Sequence, residues 1–246
     1  MRGRPEKDQA VWNPKTSLGK QVKEGIITDI DQILDEGRKI LESEIIDVLI
    51  PDLKSDLLLI GQAKGKFGGG QRRVFRQTQK KTMEGNKPKF TTYAVVGNEN
   101  GYIGLSEGSA KETVPAREKA FRNAKLDIFK IRRGCGSWQC GCKTPHTIPF
   151  KVTGKCGSVI IVLKPAPKGA GLKVEKECGK ILKMAGIKDI WSKAYGQSKT
   201  KVNLLLALKD ALKKLMSTKV DAKFEERLGI VEGKIVSQKP EIEESE

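Results

Sequence analysis

Residues 89–106 read KFTTYAVVGNENGYIGLS. Two runs rich in β-branched and aromatic residues flank Asn98-Glu99-Asn100-Gly101, and Asn100-Gly101 is a strong tight-turn signal. The stretch therefore predicts two adjacent antiparallel strands. Just upstream, RRVFRQTQ (72–79) predicts a third, with Phe75 and Arg76 serving opposite faces. Downstream, from about Ala110 to Ile131, the spacing turns helical: Val114, Phe121, Ala124 and Ile128 share a face, and Pro115 suits a first turn. Residues 71–131 thus read strand, strand, strand, helix.

The same reasoning carries outward. TIPFKVTGKCGSVIIVLKPAP (147–167) predicts a hairpin turning near Thr153-Gly154. A helix follows with Val174, Cys178, Ile181, Leu182 and Ala185 in its apolar stripe and Gly186 as its stop. KDIWSKAYG (188–196) predicts a strand. A last helix, about 200–216, carries Leu205, Leu208, Leu212 and Leu215; at two heptads this stripe reads as core and not as a zipper. Towards the start, TDIDQILDEGRKI (28–40) predicts a short helix ended by Gly37, and EIIDVLIPDL (44–53) a short apolar segment stopped by Pro51. The fold class is α+β in two domains. We divide the chain into an extension with short helices (1–60), a first domain (61–131), a cysteine-rich connector (132–145), a second domain (146–216) and an acidic tail (217–246).

Composition points to a partner. Lys and Arg number 47 against 30 Asp and Glu, a net charge of +17, while 37% of residues are apolar. Such a balance favours polyanions, nucleic acid above all. No apolar run approaches the ~18 residues of a membrane span, so no membrane partner is expected. The charge is unevenly placed. Residues 24–56 carry ten acids and three bases; residues 62–93 carry nine bases (Lys64, Lys66, Arg72, Arg73, Arg76, Lys80, Lys81, Lys87 and Lys89) and one acid, Glu84. The basic block is the candidate RNA-phosphate surface. Aromatic residues are only 5% of the chain, so contact with backbone and shape fits better than base stacking. The acidic segment is expected to pack on protein or face solvent. The glycines of PAPKGAGLKVEK precede a helix, where free N–H groups and Lys168 can hold a phosphate; a tight turn is the alternative.

The connector reads RRGCGSWQCGCKTPH (132–146), with three of the five cysteines and the only histidine. Its C-x4-C-x-C-x3-H spacing (Cys135, Cys140, Cys142, His146) can supply the four tetrahedral ligands of one structural zinc ion. Cys156 is the alternative fourth ligand, and a metal-free loop the alternative to zinc. The C-x2-C of a redox centre is absent. Arg132 and Arg133 read as phosphate contacts. With no apolar leader at the start and an odd cysteine count, a reducing, cytoplasmic setting is expected. An enzyme is not expected. No Ser-His-Asp set or carboxylate cluster is visible, and Gly61 stands one residue too close to Gly65-Lys66 for a P-loop.

Longer strings carry a resemblance. FTTYAVVGNENGYIGLSEGSAKETVPAREKA, PHTIPFKVTGKCGSVIIVLKPAPKGAGL and KMAGIKDIWSKAYGQSKTKVNLLLALKDAL resemble, in order and spacing, the small-subunit ribosomal protein five family. WNPKTSLGKQVKEGIITDIDQIL and ESEIIDVLIP resemble the N-terminal extension of its archaeal and eukaryotic branch. The resemblance spans about Trp12 to Met216. It implies a first domain like a double-stranded-RNA-binding fold and a second with the family's α+β fold. It implies a structural role in the small ribosomal subunit, binding its ribosomal RNA near the path by which messenger RNA enters. It also implies a part in decoding fidelity and contact with ribosomal protein four. By the same resemblance the loop QKKTMEGNKPKF, between the first two strands, reaches RNA with Lys80, Lys81, Lys87 and Lys89. A translation-associated RNA-binding factor, or an RNA-modifying enzyme, is the rival class.

Overall fold

The computed structural model describes residues 12–63 and 72–234. Its centre is the predicted strand pair: β3 (Gly85–Gly97) and β4 (Tyr102–Ala110) are antiparallel, with Gly97 opposite Ile103. Gly101 turns the chain between them at a φ of 95°, a backbone shape that costs glycine little. β1 (Lys54–Leu57) and β2 (Arg76–Thr82) share the other edge of β3 end to end. β5 (Ile128–Lys130) closes the sheet beyond β4.

Two features here differ from expectation. The segment before residue 60 supplies the strand β1, so the extension is built into the sheet. And QKKTMEGNKPKF is not a loop: it continues β2 and β3 as a hairpin closed at Met83-Glu84. β4 pairs with β3 only from Phe90 onward. Residues 85–89 with their β2 partners therefore project as a two-stranded ribbon of ~17 Å.

The side-chain alternation of β3 divides the sheet's two faces. Ala94 and Val96 pack with helix α4 (Thr113–Leu126), and Thr92 Oγ1 donates to Ala116 O. The buried stripe of α4 is Ala116, Ala120 and Ala124, whereas Val114, expected inward, is 60% exposed. The reason is closeness. A Cβ on Gly108 would lie 2.3 Å from Ala120 N, and one on Gly104 2.1 Å from Ala124 O. At that separation only alanine fits between helix and strand. The helix also ends at Leu126, earlier than its pattern suggests, and Ile128 enters β5.

Tyr93, Val95, Ile103 and Leu105, on the opposite face, join one core with the second domain. That domain has a sheet ordered β7 (Val152–Cys156), β8 (Val159–Pro165), β10 (Ile190–Tyr195), β9 (Leu172–Lys173), covered by α5 (Lys176–Met184) and α6 (Lys201–Ser217). The leucine stripe of α6 is buried as expected. The β7–β8 turn falls at Gly157, φ 59°, and not at Thr153-Gly154. Gly154 matters for packing instead. A Cβ there would lie 2.0 Å from Ala207 O, so the bare glycine lets α6 settle on β7.

The acidic extension forms α1 (Ser17–Lys23), α2 (Ile30–Asp35) and α3 (Glu44–Leu49), with its own apolar cluster resting on Tyr102 and Ile128. Most of its acids are exposed, and several of them have partners on the body of the protein. Asp31 accepts from the Tyr102 hydroxyl at 2.8 Å, and Asp47 and Asp35 pair with Lys125 and Lys130. The tail also returns to the body. α7 (Ala222–Leu228) leads into β11 (Val231–Glu232), which pairs antiparallel with β6 (Arg132–Arg133) in the connector.

Candidate RNA-binding hairpin and cysteine–histidine cluster

Cross-strand register decides what the projecting hairpin displays. Residues directly opposite in an antiparallel pair share a face. Arg76 stands opposite Thr91, Thr78 opposite Lys89, and Lys80 opposite Lys87. These alternate positions put Arg76, Lys80, Lys87 and Lys89 on one face. Gln77, Gln79, Lys81, Asn86 and Pro88 lie on the other. All four cations of the first face are exposed. Like charges directly opposite are unfavourable in isolation. Among the described residues, the one acid paired with Lys80 or Lys87 is the exposed Glu84, 2.7 Å from Lys87. A ribbon with such a face can offer its cations to a polyanion.

At the base of the hairpin, Arg73 is exposed and Arg72 half-buried, its Nη1 donating to Gly61 O at 3.3 Å. Arg72, Arg73 and Arg76 line a cavity of about 850 Å³ with Gln62, Phe75 and Gln79. Lys64 and Lys66 lie outside the described residues.

Arg132 and Arg133 do not lie at the surface, where surface cations were expected from sequence; both side chains are buried and hydrogen-bonded within the protein. Arg132, 7% exposed, donates through Nε to Glu232 at 2.8 Å and through Nη1 to Thr218 O at 2.7 Å. Arg133, 2% exposed, donates through Nη2 to Asn100 Oδ1 at 2.8 Å and Gly233 O at 3.0 Å. Burial pushes its pKa down to about 10, opposed by the Tyr102 hydroxyl. The acceptors come from residues 33 to 100 positions away, so no local pattern could have revealed them. Lys168 is exposed, and two N–H groups of the helix start beyond it are taken up within the chain. The Glu175 carboxylate caps α5, accepting from the N–H groups of Glu177 and Cys178.

The connector folds so that Cys135, Cys140, Cys142 and His146 converge, with ligand atoms all within 4.8 Å of one another. Bonds of ~2.3 Å to a tetrahedral ion would set sulfurs ~3.8 Å apart; Cys135 and Cys142 stand at 3.5 Å and Cys140 Sγ lies 3.9 Å from His146 Nε2. Three backbone features shape the loop: a bridge between Gly134 and Thr147, Lys143 at a φ of 52°, and Cys135 N–H donating to Leu228 O of the tail. His146 Nδ1 meets the Asp189 carboxylate at 2.8 Å, and Asp189 also accepts from Gly171 N–H. That outer partner fixes the ring with Nε2 towards the sulfurs, as in metal-bound histidines. Two hydrogen bonds from Thr144 pull the Cys142 thiol down to about 6, favouring the thiolate a metal needs. Burial, then its hydrogen bonds with Cys142 and Cys140, push Cys135 up to about 11. The four residues can hold a metal ion. Cys156 is not among them: it stands on β7, half-buried against the second-domain core. Trp138, in the same loop, is 87% exposed.

Comparison with known proteins shows the family. The family model described as "Ribosomal protein S5, N-terminal domain" matches residues 72–132, and that described as "Ribosomal protein S5, C-terminal domain" matches 154–225. Small ribosomal subunit protein uS5 of Nanoarchaeum equitans is 47% identical over 92% of this chain and 97% of its own length. The uS5 of Methanocaldococcus jannaschii is 47% identical over the same shares, and that of Picrophilus torridus 47% over 87% and 90%. With both halves matched in order and relatives this similar along nearly its full length, the chain belongs to the uS5 family of small ribosomal subunit proteins.

Proposed function

We propose that this chain is a structural constituent of the small ribosomal subunit. In this reading the hairpin face of Arg76, Lys80, Lys87 and Lys89 lies on small-subunit ribosomal RNA. The observation that carries it is the cross-strand opposition of Lys80 and Lys87 on a ribbon whose cations are exposed among the described residues. Family membership supports it, and the relatives' names lend nothing to an RNA-modifying enzyme or a transient factor. Placement near the path by which the messenger enters, contact with ribosomal protein four and support of decoding fidelity follow from the family resemblance and extend the same proposal.

The test is binding of a ribosomal RNA fragment across a salt series. Each phosphate contact adds about 0.7–0.9 to the slope of log K against log salt. Changing Lys80, Lys87 and Lys89 together to Ala should therefore flatten the slope by about 2–3, while Lys81→Ala, on the opposite face, changes it less. An unchanged slope in the triple variant refutes the assignment.

We further propose that the cysteine–histidine cluster holds one structural zinc ion, with His146 as fourth ligand. Soft thiolates with one imidazole in closed tetrahedral array suit zinc. The ion would pin the connector between the two domains and the returning tail. Elemental analysis of the purified chain should find about one zinc per molecule, and Cys140→Ser should lose it.

A further inference from the structure

A cavity of about 370 Å³ opens beside the cysteine–histidine cluster, where the β3–β4 turn meets the second domain. Asn100, Arg133, Lys168, Gly186 and Lys188 are in its wall. Arg133 is its unusual member. The side chain is buried, and its Nε–H has no hydrogen-bond partner among the described residues. Its acceptors, Asn100 Oδ1 and Gly233 O, are neutral. Among the described residues no carboxylate lies within ion-pair distance of Arg133, Lys168 or Lys188. The two acids in the wall are committed elsewhere: Glu99 holds Lys54, and Asp189 holds His146 and Gly171. The preceding residue gives the contrast, since Arg132 is matched by Glu232.

A buried guanidinium without counter-charge is strongly unfavourable. The fold nonetheless makes room for it: a Cβ on Gly186, at the cavity wall, would lie 2.7 Å from Arg133 Nη1. We infer that this cavity takes a phosphate group of the RNA backbone, held from within by Arg133 and at its rim by Lys168 and Lys188. An inner guanidinium fork with two outer ammonium groups suits an anion with several acceptor oxygens. The inference rests on the ribosomal reading for the source of the phosphate. It gives Lys168 a partner that the capped helix start denies it.

The test observes the Arg133 Nε–H resonance of the full chain by ¹⁵N NMR, at constant ionic strength, with inorganic phosphate and with a short single-stranded RNA as probes. Both should shift it saturably. Changing Lys168 and Lys188 together to Ala should weaken both responses about tenfold, in line with lost charge-assisted contacts. Both side chains are exposed, so the fold is not at risk. No saturable shift with either probe overturns the site. A shift with phosphate but not with RNA overturns its assignment to an RNA backbone. Salt-sensitive binding through the hairpin, measured in parallel, stands or falls separately. A silent Arg133 with intact hairpin binding removes this inference and leaves the ribosomal one.

Discussion

One chemical change made at two glycines tests the packing argument, because the structure demands opposite outcomes. In Gly108→Ala the new methyl would meet Ala120 N at 2.3 Å, Ala116 O at 2.4 Å and Ala120 Cα at 2.7 Å. All three are backbone atoms of α4, so no side-chain rotation relieves the clash. Either the helix lifts off the sheet, loosening Ala116, Ala120 and Ala124 together, or β4 bends. Overpacking of this kind costs about 1–3 kcal/mol. The lower flexibility of the unfolded alanine chain returns only about 0.4–1 kcal/mol. The net should be a loss of about 1–2 kcal/mol, or some 2–8 °C in Tm for a chain of this size. Gly179, inside α5, has nothing within 4 Å of a new Cβ and no positive φ. There the helix gains without a clash, and Gly179→Ala should stabilise by about 0.5–1 kcal/mol. Paired melts of the two variants by circular dichroism decide the matter. A neutral or stabilising Gly108→Ala would refute the claim that α4 rides in backbone contact on β4, and shifts of the same sign would show that helix propensity alone governs both.

Other consequences follow from particular contacts. His146→Ala should abolish zinc retention while Cys156→Ser leaves about one zinc per chain by elemental analysis. Asp189→Asn, which spares the four ligands, should weaken zinc affinity about 10–100-fold in a competition titration. Removing the metal with a chelator should lower Tm, because ligands held only in the folded state couple binding to folding. At Glu42, slight desolvation raises the pKa, but hydrogen bonds from Thr16, Lys15 and Trp12 outweigh it and hold the carboxyl below its ordinary 4.5. A depressed folded pKa stabilises above the ordinary value and is lost as pH falls through the folded one. The Trp12 indole N–H resonance should therefore titrate with a midpoint below pH 4.5; a midpoint at or above 4.5 would contradict this. Glu232→Gln should strip Arg132 of its counter-charge. Because Glu232 is partly solvent-exposed, the cost should be about 1–2 kcal/mol and not the full value for a buried pair. It should appear as faster amide exchange in β6 and β11.

The features legible in sequence are those with a local cause. Asn100-Gly101 marked the central turn, Gly37 and Gly186 the helix stops, and the α6 leucines the core face, each from neighbours within a few positions. Connector spacing picked out the candidate metal-ligand set, because three members lie within eight residues and His146 follows on the same loop. The misreadings also have local causes. Gly154 looked like a turn residue since the sequence shows a glycine but not the helix pressed against it. Val114 looked like core because its spacing is helical, yet it is exposed, since the surface it would meet is too near for anything larger than alanine; Phe121, of the same pattern, is half-buried against the Ala94, Val96, Ala120 and Ala124 cluster. Arg132 and Arg133 looked like surface cations because charge usually is; their acceptors lie up to 100 residues away.

The sequence by itself determined the order of the main strands and helices of the two domains, the family resemblance and the site of concentrated positive charge, since these rest on periodicity and composition along the chain. Tertiary structure alone decided which cations face outward. It turned a basic loop into a ribbon with Arg76, Lys80, Lys87 and Lys89 on one side, brought His146 and not Cys156 to the three connector sulfurs, and set Arg133 in a cavity wall with no acid paired to it among the described residues. The reason is that burial and apposition depend on surfaces brought together from distant parts of the chain, and no window of a few residues contains both.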